Sequence, residues 1–279
     1  MGEAAYSGGV IRKAMFDGEV ARQDDWPTVM AASILSCVLQ DVLHEGLGHG
    51  VTAWLSGARQ VTMSTVALQS DIETRWVSAN GTLVNLFFAL IFWLLLLKPE
   101  RYRPTTCYFL VLAMAGNLFT GTGYFFFSGV TNFGDWAAVI RGLQPHWMWQ
   151  LGLILVGMAS YYGSMLLVAA QLKPFQEKSP PSRRLRVLCW TPYFTDGILA
   201  ALAGLFNPAG LFYVVASALP STLGANAGLL SLPSLMGRMS SSDAEQVGPI
   251  RRGPAWIAAA AVAALLFIFV LGRGITWSR

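Results

Sequence analysis

The chain has few charged residues for its length. Of its 279 residues, 12% are Asp, Glu, Lys or Arg and 54% are hydrophobic. Soluble proteins usually have about 25% charged residues, so this composition excludes an ordinary soluble domain and indicates a membrane protein. The net charge is only +4 and no long basic run is present. No nucleic-acid partner is therefore expected.

Cysteine and histidine are also scarce. The three cysteines lie in apolar segments and form no C-x-x-C pair, which predicts packing residues rather than a disulfide framework. The three histidines are too few for the di-iron sites of membrane desaturases, which use many histidines. Two of them, His44 and His49, lie close together in the stretch DVLHEGLGHG at residues 41–50.

The apolar segments predict an all-α polytopic membrane protein with about six transmembrane helices. A spanning helix needs about 20 mainly apolar residues. The segments that meet this requirement are 27–55, 77–97, 105–127, 147–172, 196–219 and 255–271. Residues 1–26 precede them as a polar N-terminal arm, in which VIRKAMF is expected to form a short interfacial helix. Residues 146–279 contain additional helices to which no role is assigned.

Three connections between these segments are distinctive. Residues 58–69, ARQVTMSTVALQ, predict a short strand pair at the membrane mouth, a small β element after the first helix. Residues 173–186 form a polar, proline-interrupted loop and the best candidate boundary. Residues 220–253 are either a re-entrant segment or an external loop, and irregular backbone within a membrane requires burial in protein or a wet cavity.

The basic residues predict the orientation of the chain. Six spans place both termini on one side, and most of the Lys and Arg residues fall on that side. By the positive-inside rule, both the N- and the C-terminus are then cytoplasmic. The expected localisation is a multi-pass integral membrane protein, with the lipid bilayer as its surroundings.

Residues 41–50 place ionisable side chains inside the first apolar segment. Asp41, His44, Glu45 and His49 each cost a few kcal/mol in a membrane interior, so they are expected to face a cavity, a metal ion or one another. Imidazole and carboxylate ligands suit zinc, and a glutamate beside a histidine can act as a general base. Alternatively, the four side chains form hydrogen bonds that stabilise a helix bundle.

The spacing of the two histidines predicts a local distortion of the helix. The zinc-hydrolase motif H-E-x-x-H places two histidines one turn apart, but here the spacing is one residue longer. Five steps of about 100° leave the rings about 140° apart on a regular helix, whereas a π-type turn returns them to one face. Gly46 and Gly48 ease such a turn. In a regular helix, Glu45 and His49 would be the natural pair instead.

Other polar residues are candidates for completing the site. Asp135, in the break TNFGDW after the third span, is the expected third metal ligand, or else only a residue at a helix start. Asn85 and Asn117 either contact a substrate or join neighbouring helices. Asp41 either orients a metal ligand or pairs with a cation. His146 is expected to be an interfacial residue.

Three motifs in this order resemble the site-2 protease family of intramembrane zinc metalloproteases. They are LHEGLGHG, the segment ANGTLVNLFFALIFWLLLL with Gly81 and Asn85, and AGNLFTGTGYFFFSGVTNFGDW with Asn117 and Asp135. The resemblance covers residues 27–145 and implies that they form a metal-binding membrane core. It also implies that Asp135 supplies the third ligand and that a small sheet follows the first helix.

The resemblance and the motif together predict a membrane-embedded, zinc-dependent peptidase. His44, His49 and Asp135 are the expected zinc ligands, and Glu45 is the expected catalytic base for metal-activated water. The expected substrate is a membrane protein or peptide, and the strand pair could present it by strand addition.

Two alternatives remain open at this stage. The first is a non-proteolytic metal-binding membrane protein of the same fold. The second is a small-solute transporter that uses the helix break at NPAG, with Asn207 or Asp196 as its essential residue.

Overall fold

The computed structural model describes residues 23–177, 183–208, 215, 219–238 and 246–279. It is mostly helical, 76%, with a small three-stranded sheet. Residues 1–22, which include most of the expected polar arm and the expected interfacial helix, lie outside the described residues. Within the described residues, five helices are long and apolar enough to cross a membrane, which indicates a membrane protein: Trp26–Leu55, Arg75–Leu95, Pro104–Thr131, His146–Phe175 and Pro254–Leu271.

The first of these helices consists of three parts. Helix α1 (Trp26–Asp41) begins with Pro27 in its first turn, and the side chain of Asp25 caps it by accepting a hydrogen bond from the Thr28 N–H. A π-helical stretch (Val42–Gly50) follows, and helix α2 (Val51–Leu55) comes after it. Together the three parts form one continuous helical segment, Trp26–Leu55, which is called the first rod. The π-helical stretch therefore interrupts an otherwise regular α-helix at the segment that carries both histidines.

Three further helices pack with α1 around the main core. They are α3 (Arg75–Leu95), α4 (Pro104–Thr131) and α6 (His146–Leu172), and the short helix α5 (Asp135–Ile140) lies between α4 and α6. Helix α4 contacts α1, α3 and α6, and it is the central element of the bundle. Its Tyr108, Met114 and Phe119 are fully buried.

The sheet lies beside the C-terminal end of the first rod. Strands β1 (Gln60–Met63) and β2 (Leu68–Ser70) pair antiparallel, which confirms the predicted strand pair after the first helix. A third strand, β3 (Ile275–Ser278), pairs antiparallel with β1, so that the order is β2-β1-β3. Strand β3 lies within residues 146–279, for which the sequence predicts only additional helices.

The fifth predicted span, 196–219, differs from the helix that is present. Helix α7 runs from Arg183 to Gly204 and starts inside the stretch that was predicted to be a polar loop. Arg184 explains this start, because its guanidinium pairs with Asp24 at 2.8 Å and also donates to two backbone carbonyls. Residues 209–214 and 216–218 lie outside the described residues, so the second half of that predicted span is not tested.

The chain after α7 returns through the bundle as a broken segment. It consists of a π turn (Pro220–Gly224), a 3₁₀ turn (Ala225–Ala227) and helix α8 (Gly228–Arg238). Because Leu229, Leu232 and Met236 of α8 lie in the main hydrophobic core, this part is not an external loop. Of the two alternatives for residues 220–253, the external loop disagrees with the described residues, and the re-entrant segment stays a prediction.

The two ends of the described chain lie at opposite ends of the first rod. The Asp25 N–H donates to the Ile250 carbonyl at 2.7 Å, and the Gly253 N–H donates to the Thr28 hydroxyl at 3.0 Å. The last helix, α9 (Pro254–Leu266) with a π turn (Phe267–Leu271), therefore starts beside the start of α1 and runs parallel to it. Strand β3 follows α9 and lies at the C-terminal end of the first rod. The six predicted spans would instead have placed both chain termini on the same side. The prediction that both termini are cytoplasmic therefore has no support in the described residues.

Candidate metal centre

The π-helical stretch brings the two histidines to one face of the first rod. Because a π turn advances by about five residues, side chains spaced i and i+5 stand above one another. The His44 and His49 ring centroids are 4.7 Å apart, and the rings meet edge to face. The predicted distortion of the helix at this segment is therefore confirmed.

Two glycines allow the first rod and α3 to approach closely enough for this arrangement. A Cβ atom on Gly48 would lie 2.9 Å from the backbone carbonyl oxygen of Asn80. A Cβ atom on Gly81 would lie 2.6 Å from His49 Cε1 and 2.8 Å from His44 Cε1. Both imidazole rings therefore occupy the space in which any other residue at position 81 would place its side chain.

A tight turn after α4 directs Asp135 towards the two rings. Asn132 ends α4 in the left-handed conformation with φ 53°, and Gly134 has φ 84°. Asp135 then begins α5, and the indole N–H of its neighbour Trp136 donates to Thr82 Oγ1 on α3 at 3.1 Å. This contact fixes α5 against α3 and holds the Asp135 carboxylate over the histidines.

The three predicted ligand atoms form a nearly equilateral triangle. Asp135 Oδ2 lies 3.2 Å from His44 Nε2 and 3.3 Å from His49 Nε2. The two Nε2 atoms are 3.2 Å from each other. Both histidines are buried, and Asp135 is largely so.

The hydrogen-bond partner of each ring determines its tautomer. A backbone carbonyl oxygen can only accept, so His49 Nδ1, which lies 2.6 Å from the Val77 carbonyl oxygen, must carry a proton and donate it. In a neutral imidazole the other nitrogen then presents a lone pair. When the ring is neutral, as a metal ligand must be, His49 Nε2 directs a lone pair at Asp135.

The tautomer of His44 follows from the hydrogen bonds of two asparagine side chains. The side-chain N–H of Asn117 donates to the Ala113 carbonyl at 2.8 Å, so its Oδ1 faces Asn85 and accepts from the Asn85 amide at 2.7 Å. Asn85 Oδ1 consequently faces His44 Nδ1 at 2.6 Å and accepts its proton. Both asparagines, which the sequence placed near the site, hold His44 with its Nε2 lone pair towards Asp135.

Three electron-rich atoms therefore face one point. A single proton can bridge only one pair of them, whereas a metal ion contacts all three at once. His44, His49 and Asp135 together could hold a metal ion.

Glu45 and Asp41 occupy different positions relative to this triangle. Glu45 is buried, lines the same cavity as His49 and Asp135, and has one carboxylate oxygen without a hydrogen-bond partner among the described residues. Asp41 also has an unpartnered oxygen, but both Nδ1 atoms of the histidines already have other partners. Asp41 therefore does not orient either ring by a direct hydrogen bond.

A cavity of about 1170 Å³ opens from the triangle. Its walls come from the outer strand β2, from the aromatic part of α4, from α6 and from the broken segment before α8. Residues 146–279, which had no assigned role, therefore form one side of the space next to the ligand atoms. The cavity is large enough for a peptide segment or another ligand of comparable size.

Tyr124 is a site residue that the sequence analysis missed. An aromatic stretch such as YFFF at residues 124–127 is typical of lipid-facing side chains, but the Tyr124 ring stacks on His44 with 5.0 Å between centroids. Tyr124 lies seven residues after Asn117, which corresponds to two helical turns, so both share one face of α4. That spacing is the sequence signal that indicates Tyr124 as a neighbour of the site.

Replacing Gly81 by alanine is expected to abolish metal binding, because the added Cβ overlaps the space of both imidazole rings. Alanine normally favours a helix over glycine by about 1 kcal/mol, so helix propensity alone predicts the opposite. Metal content per purified chain is the measurement. Gly152→Ala on α6, where a Cβ meets open space, is the matched control. Full metal content in Gly81→Ala would contradict the geometry.

Comparison of the chain with protein-family models, with curated proteins and with solved structures finds no match.

Proposed function

We propose that the chain is a membrane-embedded, zinc-dependent peptidase of the site-2 protease type. The observation that carries this proposal is the triangle of two imidazole nitrogens and one carboxylate oxygen with sides of 3.2–3.3 Å. A second observation is that Glu45 lies next to this triangle in the same cavity. Catalytic zinc sites combine three such protein ligands with one open position.

The dimensions and the donor atoms of the triangle are compatible with zinc. Tetrahedral zinc with bonds of about 2.0–2.1 Å places its ligands about 3.3 Å apart. A set with two imidazoles does not suit calcium or magnesium. The observed separations match the tetrahedral value.

The residues around the site have distinct tasks in peptide hydrolysis. When bound, zinc supplies Lewis acidity, which polarises a peptide carbonyl and lowers the pKa of water. The Glu45 carboxylate accepts the proton from the attacking water and later delivers it to the leaving amine nitrogen. Asn85 and Asn117 keep the His44 tautomer fixed, and Val77 does the same for His49.

The substrate in this proposal is an extended segment of a membrane protein or peptide. Strand β2 is at the edge of the sheet, and its Leu68 and Ser70 line the cavity. A peptide that pairs with this edge would have an exposed backbone, as hydrolysis requires, and its side chains would contact the aromatic wall of α4. The bilayer supplies such segments laterally.

The direct test uses the purified chain in lipid nanodiscs with a library of fluorogenic single-span peptides. We expect cleavage that stops with ortho-phenanthroline, persists with its non-chelating meta isomer and returns when zinc is added. Bound zinc without cleavage of any peptide would overturn the peptidase and favour the non-proteolytic alternative. Cleavage that is insensitive to chelation would overturn the role of the metal.

A further inference from the structure

A second group of buried polar side chains lies deeper in the bundle, away from the metal centre. Asp196 of α7 is 5% exposed and Asn226 of the 3₁₀ turn is 2% exposed. The Oδ1 atom of each is buried and has no hydrogen-bond partner among the described residues. Two unpartnered oxygen atoms at this depth are costly unless something binds them.

Both side chains line one small cavity. Its volume is about 10 Å³, which is close to the space that a single water molecule needs. Ser36, Cys37 and Gln40 of α1 also line it. The Ser36 hydroxyl donates its proton to the Ser33 carbonyl, so its oxygen lone pairs remain available to an occupant.

The turn that carries Asn226 is held in place by one side chain. The Tyr161 hydroxyl donates to the Ala225 carbonyl, and the Gly228 N–H donates to the Tyr161 hydroxyl at 2.8 Å. The turn is therefore fixed where the returning segment departs from α-helical geometry. Broken helices of this kind, with backbone and side-chain oxygens at the break, form cation sites in transporters.

The charge and the donor atoms of this cavity define its occupant. Asp196 is the single acidic side chain among the described residues that line it, and none of those residues is basic. The remaining polar groups offer mainly oxygen atoms, which hard cations prefer. We propose that Asp196 and Asn226 bind one small monovalent cation, Na⁺, in this cavity. A divalent ion would leave an uncompensated charge.

Binding of Na⁺ there would also act on the larger cavity. Gly224, Ala225 and Ala227 form part of the wall of the cavity next to the metal centre, while Asn226 between them faces the small cavity. A cation held by Asn226 and Asp196 therefore fixes that wall against α7. This inference does not depend on peptidase activity, because Asp196 and Asn226 belong neither to the ligand triangle nor to the proposed catalytic residues.

Thermal unfolding of the full chain in detergent tests the proposal. At constant ionic strength, replacing choline by Na⁺ is expected to raise the unfolding midpoint in proportion to the logarithm of the Na⁺ concentration above its dissociation constant. Asp196→Asn should abolish the Na⁺ response, and binding of radioactive sodium to the purified chain should disappear with it.

Two controls make the outcome decisive. Thr120→Val removes another buried, unpartnered oxygen elsewhere in the bundle and should keep the full Na⁺ response. Glu45→Gln should also keep it, which separates this site from the proposed peptidase. Equal unfolding midpoints of the wild-type chain in Na⁺ and choline would overturn the proposal, because the cavity would then hold only water or a proton. A response that survives in Asp196→Asn would overturn it as well.

Discussion

Glu45→Gln is expected to reduce peptide cleavage by about 100- to 10,000-fold while the chain keeps its bound metal. Glutamine has nearly the same shape as glutamate but cannot accept the proton from the attacking water. Glu45 does not belong to the ligand triangle, so the three atoms that hold the metal remain in place. The loss should therefore appear in kcat rather than in metal content.

Single-turnover cleavage and metal content of the same preparation measure this effect. Glu100→Gln is the matched control, because Glu100 is exposed in the short connection between α3 and α4 and lies outside the cavity. It should cleave as the wild type does. Cleavage at the wild-type rate by Glu45→Gln would remove Glu45 as the general base, and loss of its metal would show that the residue has a structural task instead.

Asp135→Asn is expected to lower the metal affinity by more than 100-fold. Removing a residue that only hydrogen-bonds to a metal ligand typically lowers the metal affinity by about 10–100-fold. Asp135 is expected to contact the metal itself, so its replacement should lower the affinity further. It is also the single negatively charged member of the triangle. The amide keeps the shape of the side chain but removes this charge, so the remaining two neutral imidazoles hold the cation poorly.

Competition with a calibrated zinc chelator measures the affinity without any peptide substrate. His146→Ala serves as the control, because His146 is the third histidine of the chain and its Nε2 faces Asn132 at 3.0 Å rather than the triangle. The control should bind zinc as tightly as the wild type. If Asp135→Asn also kept the wild-type affinity, the carboxylate would not be a ligand.

The part of the site within the first helix could be predicted from local sequence. A five-residue spacing between His44 and His49, with Gly46 and Gly48 between them, has one simple helical solution in which both rings share a face. The strand pair was also predictable, because alternation of apolar and polar residues is a local signal. The third ligand required a long-range assumption, since Asp135 approaches the rings only through a turn with two left-handed residues.

Features that depend on tertiary packing were not predictable in the same way. Strand β3 is four residues long and pairs with a strand more than 200 positions earlier, so nothing local distinguishes it from a tail. The start of α7 depends on the ion pair of Arg184 with Asp24. The direction of the asparagine chain follows from the carbonyl of Ala113, which no sequence pattern identifies as its anchor.

X-ray absorption at the zinc edge, on the wild-type chain loaded with one equivalent of zinc, tests most directly whether two imidazoles and one carboxylate share a cation. We expect four light-atom ligands at about 2.0–2.1 Å with the outer scattering of two histidine rings. Asp135→Asn should change that spectrum. A spectrum without imidazole scattering, or one that Asp135→Asn leaves unchanged, would contradict the metal centre described above.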